Sequence, residues 1–172
     1  DFLASVARQG SLIGRGNCSE RRAETEAYLP IFDALEDLLR KDTSGSIRRL
    51  TETTAPTWFA QLTHTPGGDA PRAASRHAML REFRSLAQEA SRLGTIVLFL
   101  DDVHWSDVPT VDLLAHIGQH FHGIRLLILA TCRPTELLLG PHPFHNVRQE
   151  LASRGRCIDI LVGFFQRPDV DR

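Results

Sequence analysis

The 172 residues carry 20 basic and 21 acidic side chains, a formal net charge of −1, and 42% apolar content. That length suits one domain with its own core, and the charge balance gives no electrostatic ground for binding nucleic acid or an anionic membrane. No apolar stretch approaches the roughly 20 residues that span a bilayer. Cys18, Cys132 and Cys157 are odd in number and far apart, which fits reduced thiols of a cytoplasmic protein rather than disulfides or a zinc site.

Along the chain, Asp1–Gln9 reads as the last turns of a helix with Phe2, Leu3 and Val6 on one face, stopped by Gly10. Ser11–Arg15 is a short strand candidate leading into Gly14-Arg15-Gly16, and residues 17–26 are polar and loop-like. Tyr28–Lys41 is a helix: Pro30 fits its first turn, and Ile31, Leu35, Leu38 and Leu39 form one stripe. Ser46–Thr51 and Pro56–Leu62 are short-helix candidates, and Thr65–Pro71 is a loop. Ala74–Leu93 is the longest helix, with Met79, Phe83, Leu86 and Ala90 at helical spacing and Gly94 closing it. Thr95–Leu100 is an apolar run of the kind buried on both faces of a parallel sheet. Ser106 or Asp107 caps a further helix with Pro109 in its first turn, facing its core through Leu113, Leu114, Ile117 and Phe121 until Gly123 breaks it. Ile124–Thr131 is a second apolar strand, Pro143–Ser153 a helix ended by Gly155, and Cys157–Val162 a third strong strand. Strands alternating with helices predict an α/β fold, a three-layer, mostly parallel sheet flanked by helices, in one domain spanning residues 1–172. No internal repeat is visible.

The chemistry concentrates where the Thr95–Leu100 strand ends in Asp101 and Asp102, followed by Val103-His104-Trp105-Ser106-Asp107. Ligands of open parallel sheets bind outside the carboxyl ends of the strands. A carboxylate there holds Mg²⁺, usually through water, and a second acid orients or deprotonates an attacking water. The plainer reading of such a pair is that it caps the following loop. A phosphate-cradling loop needs Gly-rich backbone and a Lys followed by Ser or Thr. Lys41 is the only lysine, and it follows Leu39-Arg40 with no glycine before it. No such loop can be drawn, and the chain begins mid-pattern, so it reads as a piece of a larger protein.

Thr95–Asp107 resembles the Walker B region of the predicted-ATPase branch of STAND P-loop NTPases, relatives of the AAA+ ATPases. Ser11–Glu20 resembles that family's second strand and its Gly-Arg-Gly/Cys-Glu segment. Glu26–Leu35 resembles its Tyr-Leu-Pro helix, and Leu127–Pro134 its sensor-1 strand. The resemblance covers nearly the whole chain and is weakest at residues 43–72; Arg21–Thr25 departs from the family's usual Gly-containing loop. It implies an incomplete P-loop NTPase core whose Walker A loop lies upstream, with ATP and Mg²⁺ as ligands. It implies that Asp101 is the Mg²⁺-linked acid, Asp102 the catalytic acid, and Arg133 the sensor of the γ-phosphate. It also implies a switch module of a large signalling or transcription-regulating protein, partnered by nucleotide and by other domains of its own polypeptide and able to oligomerise.

Other residues carry plainer readings. Trp105, with His104, reads as packing that fixes the acid loop rather than as a platform for a base. His116 and His120 have metal-ligand spacing but no third ligand, so they read as a solvated face, and so do His142 and His145. Gly14-Arg15-Gly16 lacks the third Gly of a dinucleotide fingerprint. Two rival functions remain at this stage. One is a non-enzymatic scaffold or interaction domain that kept the sheet and lost nucleotide binding. The other is a Mg²⁺ enzyme without a P-loop, which requires further acids at neighbouring strand ends.

Overall fold

A computed structural model describes residues 2–20, 27–63, 75–139 and 142–163. In chain order it forms α1 (Phe2–Arg8), β1 (Leu12–Asn17), α2 (Leu29–Lys41), α3 (Ser46–Thr54), α4 (Pro56–Leu62) and α5 (Arg76–Leu93). Then follow β2 (Ile96–Asp101), a 3₁₀ turn (Val103–Trp105), α6 (Val108–His120), β3 (Leu126–Ala130), α7 (Pro134–Leu139) and α8 (Pro143–Ser153). The expected loop at Thr65–Pro71 lies outside the described residues.

The strands form a parallel sheet in the order β1-β2-β3, flanked by helices, as the alternating pattern predicts. Register places Leu12, Ile96 and Leu126 side by side, then Gly14, Leu98 and Ile128, then Gly16, Leu100 and Ala130. These positions alternate onto one face, and Ile96, Leu98 and Leu100 join the main core with Ile31, Phe83 and Leu113 of the covering helices. Trp58 is fully buried in that core, between the rings of Tyr28, Phe32 and Phe83, and its indole N–H donates to the Met79 carbonyl at 2.9 Å.

The two glycines of β1 explain how α2 sits so close. A Cβ on Gly14 would stand 2.4 Å from the Ala34 carbonyl oxygen, and one on Gly16 would stand 1.9 Å from that of Pro30. Gly14-Arg15-Gly16 is therefore a packing surface for α2. Lys41 and Asp37, at the end of α2, reach the outer edge of β1. Lys41 Nζ donates to the Ile13 carbonyl at 3.3 Å, and the Asp37 carboxylate accepts the Arg15 N–H at 3.1 Å. The same two side chains pair with each other, and Arg40 joins them on Asp37.

One expectation fails. Cys157–Val162 forms no strand: residues 156–163 have no regular structure, and Ile158, Ile160, Leu161 and Val162 are all more than 80% exposed. An apolar run becomes a strand only when a neighbour completes its ladder. Among the described residues β3 pairs with β2 alone, and nothing pairs with Cys157–Val162. No described helix is long and apolar enough to cross a membrane.

Candidate functional site

β2 is the central strand, and its apolar run ends at Asp101. Asp102 follows in the left-handed region, φ 55° and ψ 47°. Asp tolerates that conformation better than most residues, but it is still a sparsely used one that neighbouring bonds must hold in place. Here they come from β3. The Thr131 hydroxyl accepts the Asp102 N–H at 2.8 Å and donates to the Asp101 carboxylate. The Val103 N–H donates to the Thr131 carbonyl at 2.9 Å, while the Thr131 N–H returns to the Leu100 carbonyl at 3.0 Å. From the other side, the Cys18 N–H donates to the Asp101 carbonyl at 3.0 Å. The acid pair thus sits at the carboxyl ends of all three strands, with Asp102 keeping 38% of its side chain exposed.

Several carboxylates gather around Cys18, just past the end of β1. Burial pushes the Cys18 thiol up to about 12, and the carboxylates of Asp107, Asp102, Asp101 and Asp33 push the same way. A thiol surrounded in this manner is an inert packing group. The same field favours a cation at the strand ends. The oxygen donors and partial exposure of Asp101 and Asp102 suit hydrated Mg²⁺. Among the described residues no group of three or more His, Cys, Asp or Glu converges as a self-sufficient metal cage.

Arg133 lies just past β3. Its backbone N–H donates to His104 Nδ1 at 3.4 Å, and its guanidinium forms no ion pair with a described residue. It is exposed on the same end of the sheet as the acids. Lys41 is held at the far end by Asp37 and Ile13, so it is not a phosphate ligand of this site. A cavity of about 520 Å³ is also at that far end, between α1, the first half of β1 and the α2–α3 corner. Asp101 and Asp102 do not line it and stay partly exposed.

The last residue of the acid string has a structural task. Asp107 caps α6, accepting the Thr110 N–H at 2.8 Å and its hydroxyl at 2.6 Å. It also accepts the Tyr28 N–H at 3.0 Å, at the left-handed residue that opens α2. Trp105 is half-buried against the core beside the His104 ring, at 5.2 Å between centroids. His142, expected on a solvated face, caps α8, and its Nε2 bonds the Ser106 carbonyl at 3.0 Å, so it ties α8 to the acid loop. The His116 and His120 rings stack at 4.4 Å, and burial, with His120 next, lowers the affinity of His116 for a proton.

Thr131 was assigned no role from sequence, and His104 only packing beside Trp105. Thr131 bonds Asp101, 30 residues away, and His104 accepts the Arg133 N–H, 29 residues away, through contacts that only the sheet order creates.

A parallel α/β domain with paired acids at the carboxyl edge of its central strand has the form of a nucleotide-site domain. The sequence model of the AAA ATPase domain matches residues 1–129, and the chain belongs to that family. Family members are P-loop NTPases that bind ATP with Mg²⁺. No curated protein and no solved structure matches the chain.

Proposed function

We propose that this chain is the acid-pair and sensor part of an ATP-hydrolysing switch of the STAND type, within a larger signalling or transcription-regulating protein. The observation that carries the reading is the junction of Asp101, Asp102 and the β3 end at one edge of the sheet. In this proposal Asp101 holds Mg²⁺ through water, since its carboxylate already accepts the Thr131 hydroxyl. Asp102, free on its exposed side, orients the attacking water and takes its proton. Arg133 supplies a permanently charged fork for the terminal phosphate. Bound Mg²⁺ would neutralise the phosphate charge that develops during transfer.

The phosphate cradle belongs, in the same proposal, to a strand and loop seated on the unpaired edge of β3. Two observations support that placement. β3 is apolar throughout yet has one described neighbour, and the opposite edge of the sheet is already closed by Lys41 and Asp37. The rival is a scaffold that has lost nucleotide binding; the cavity at the far end of β1, away from the acids, favours it.

Calorimetry with ATP·Mg separates these accounts. The 172-residue chain is expected to bind very weakly or not at all, and micromolar affinity would defeat the proposal that the cradle lies outside it. In a polypeptide that includes the upstream loop, Asp102→Asn is expected to preserve ATP binding and abolish turnover. Equal turnover in variant and parent removes Asp102 from the mechanism, and no ATP binding by the parent favours the scaffold.

A further inference from the structure

The buried imidazole of His104 stands between the two residues given chemical roles above. Its side chain is 1% exposed, and Nδ1 faces two groups with opposite needs. The Arg133 N–H, at 3.4 Å, requires an acceptor; Asp102 Oδ1, at 3.8 Å, requires a donor. A neutral imidazole has one nitrogen of each kind, so Nδ1 serves only one of them. The amide is within bonding distance, though at its long end, and the carboxylate is beyond it. That geometry puts the ring proton on Nε2. Nε2 is buried without a partner among the described residues. Packing alone gives no reason to keep an unmet polar atom there, because Leu or Phe fills the space without it.

We infer that His104 is a positioning residue: in its Nε2–H form it fastens the turn after β3 to the turn after β2 and leaves the Asp102 carboxylate unclaimed. The purpose of this link rests on the nucleotide reading; the link itself does not. With Nδ1 engaged by Arg133, the acid and the arginine hold one fixed relation before any ligand arrives. In the opposite tautomer the ring would turn its donor to Asp102 and the Arg133 N–H would lose its acceptor, so acid and arginine could not both be ready.

Nitrogen-15 NMR of the histidine-labelled chain at neutral pH reads the tautomer directly, and amide exchange reads the link. The expected results are an Nε2–H ring at His104 and, in His104→Leu, exchange of the Arg133 and Asp102 amides faster by roughly tenfold or more. His104→Asn, whose side-chain oxygen can stand near the Nδ1 position, is expected to restore protection at Arg133. A packing role alone would leave Leu as good as wild type and Asn worse. An Nδ1–H ring in the wild type, or unchanged Arg133 exchange in His104→Leu, overturns the inference. Should His104→Leu fail to fold, the wild-type tautomer and the His104→Asn exchange decide it. Loss of the nucleotide reading through Asp102→Asn would leave these exchange rates where they are, so the two failures are distinguishable.

Discussion

At the scale of single residues, the conspicuous string Asp101–Asp107 divides into unlike tasks. Asp101 and Asp102 stay partly exposed, whereas Asp107 is 6% exposed and fully engaged by Tyr28 and Thr110. Asp107→Ala removes a helix cap and leaves the buried Tyr28 N–H unmet. It is expected to destabilise the chain by about 2–4 kcal/mol in urea unfolding. Its effect on ATP affinity in a cradle-bearing polypeptide should be no more than its effect on the folded fraction. The acid pair was legible in sequence because an apolar run of β-branched and large residues ended abruptly in charge. A cap at Ser106 or Asp107 was legible because Pro109 follows closely, and the structure gives it to Asp107. The clamp by Thr131 was not, since its partners are 29 and 30 residues distant in the chain.

At the scale of elements, periodicity placed most helices and three of the four expected strands within a residue or two of what forms. The expected Ser11–Arg15 strand extends to Asn17, and the Ala74–Leu93 helix is described from Arg76, capped by Ser75. Pattern failed at Cys157–Val162 because it reports what a segment would bury, not whether a neighbour exists to complete its ladder. It also gave no account of Gly14 and Gly16, whose meaning lies in the closeness of α2. Gly16→Ala would drive a methyl into the Pro30 carbonyl. A loss of roughly 2–3 kcal/mol is expected, read as a lower urea midpoint with the slope unchanged. Gly118 has a similar part between α6 and α8, where an added Cβ would fall 2.3 Å from a Leu151 methyl.

At the scale of the whole molecule, acid should act first through the α2–α3 corner. Burial raises the Asp37 carboxyl, but hydrogen bonds from Lys41 and Arg40 outweigh it and hold it below the usual carboxylate range. Asp42 is likewise held low: burial raises it, and the Arg48 N–H, the Ser44 hydroxyl and the Ile47 and Ser46 N–H groups lower it more. Depressed folded-state values mean that the unfolded chain takes up protons first. The stabilisation is complete above the ordinary Asp value of about 3.9 and is lost as pH falls through the lower folded values. Urea midpoints measured down through that range should decline, and Asp37→Asn should flatten the decline while lowering the plateau above it.

The side chains that close the outer edge of β1 have a consequence for encounters between molecules. With Lys41 and Asp37 stoppering one margin, a colliding chain can extend the ladder only across the other, so two molecules that meet strand to strand use up both of their free margins and growth halts at a pair. Unstoppering β1 would give each molecule two such margins, and the same collision would then propagate without end into a fibre.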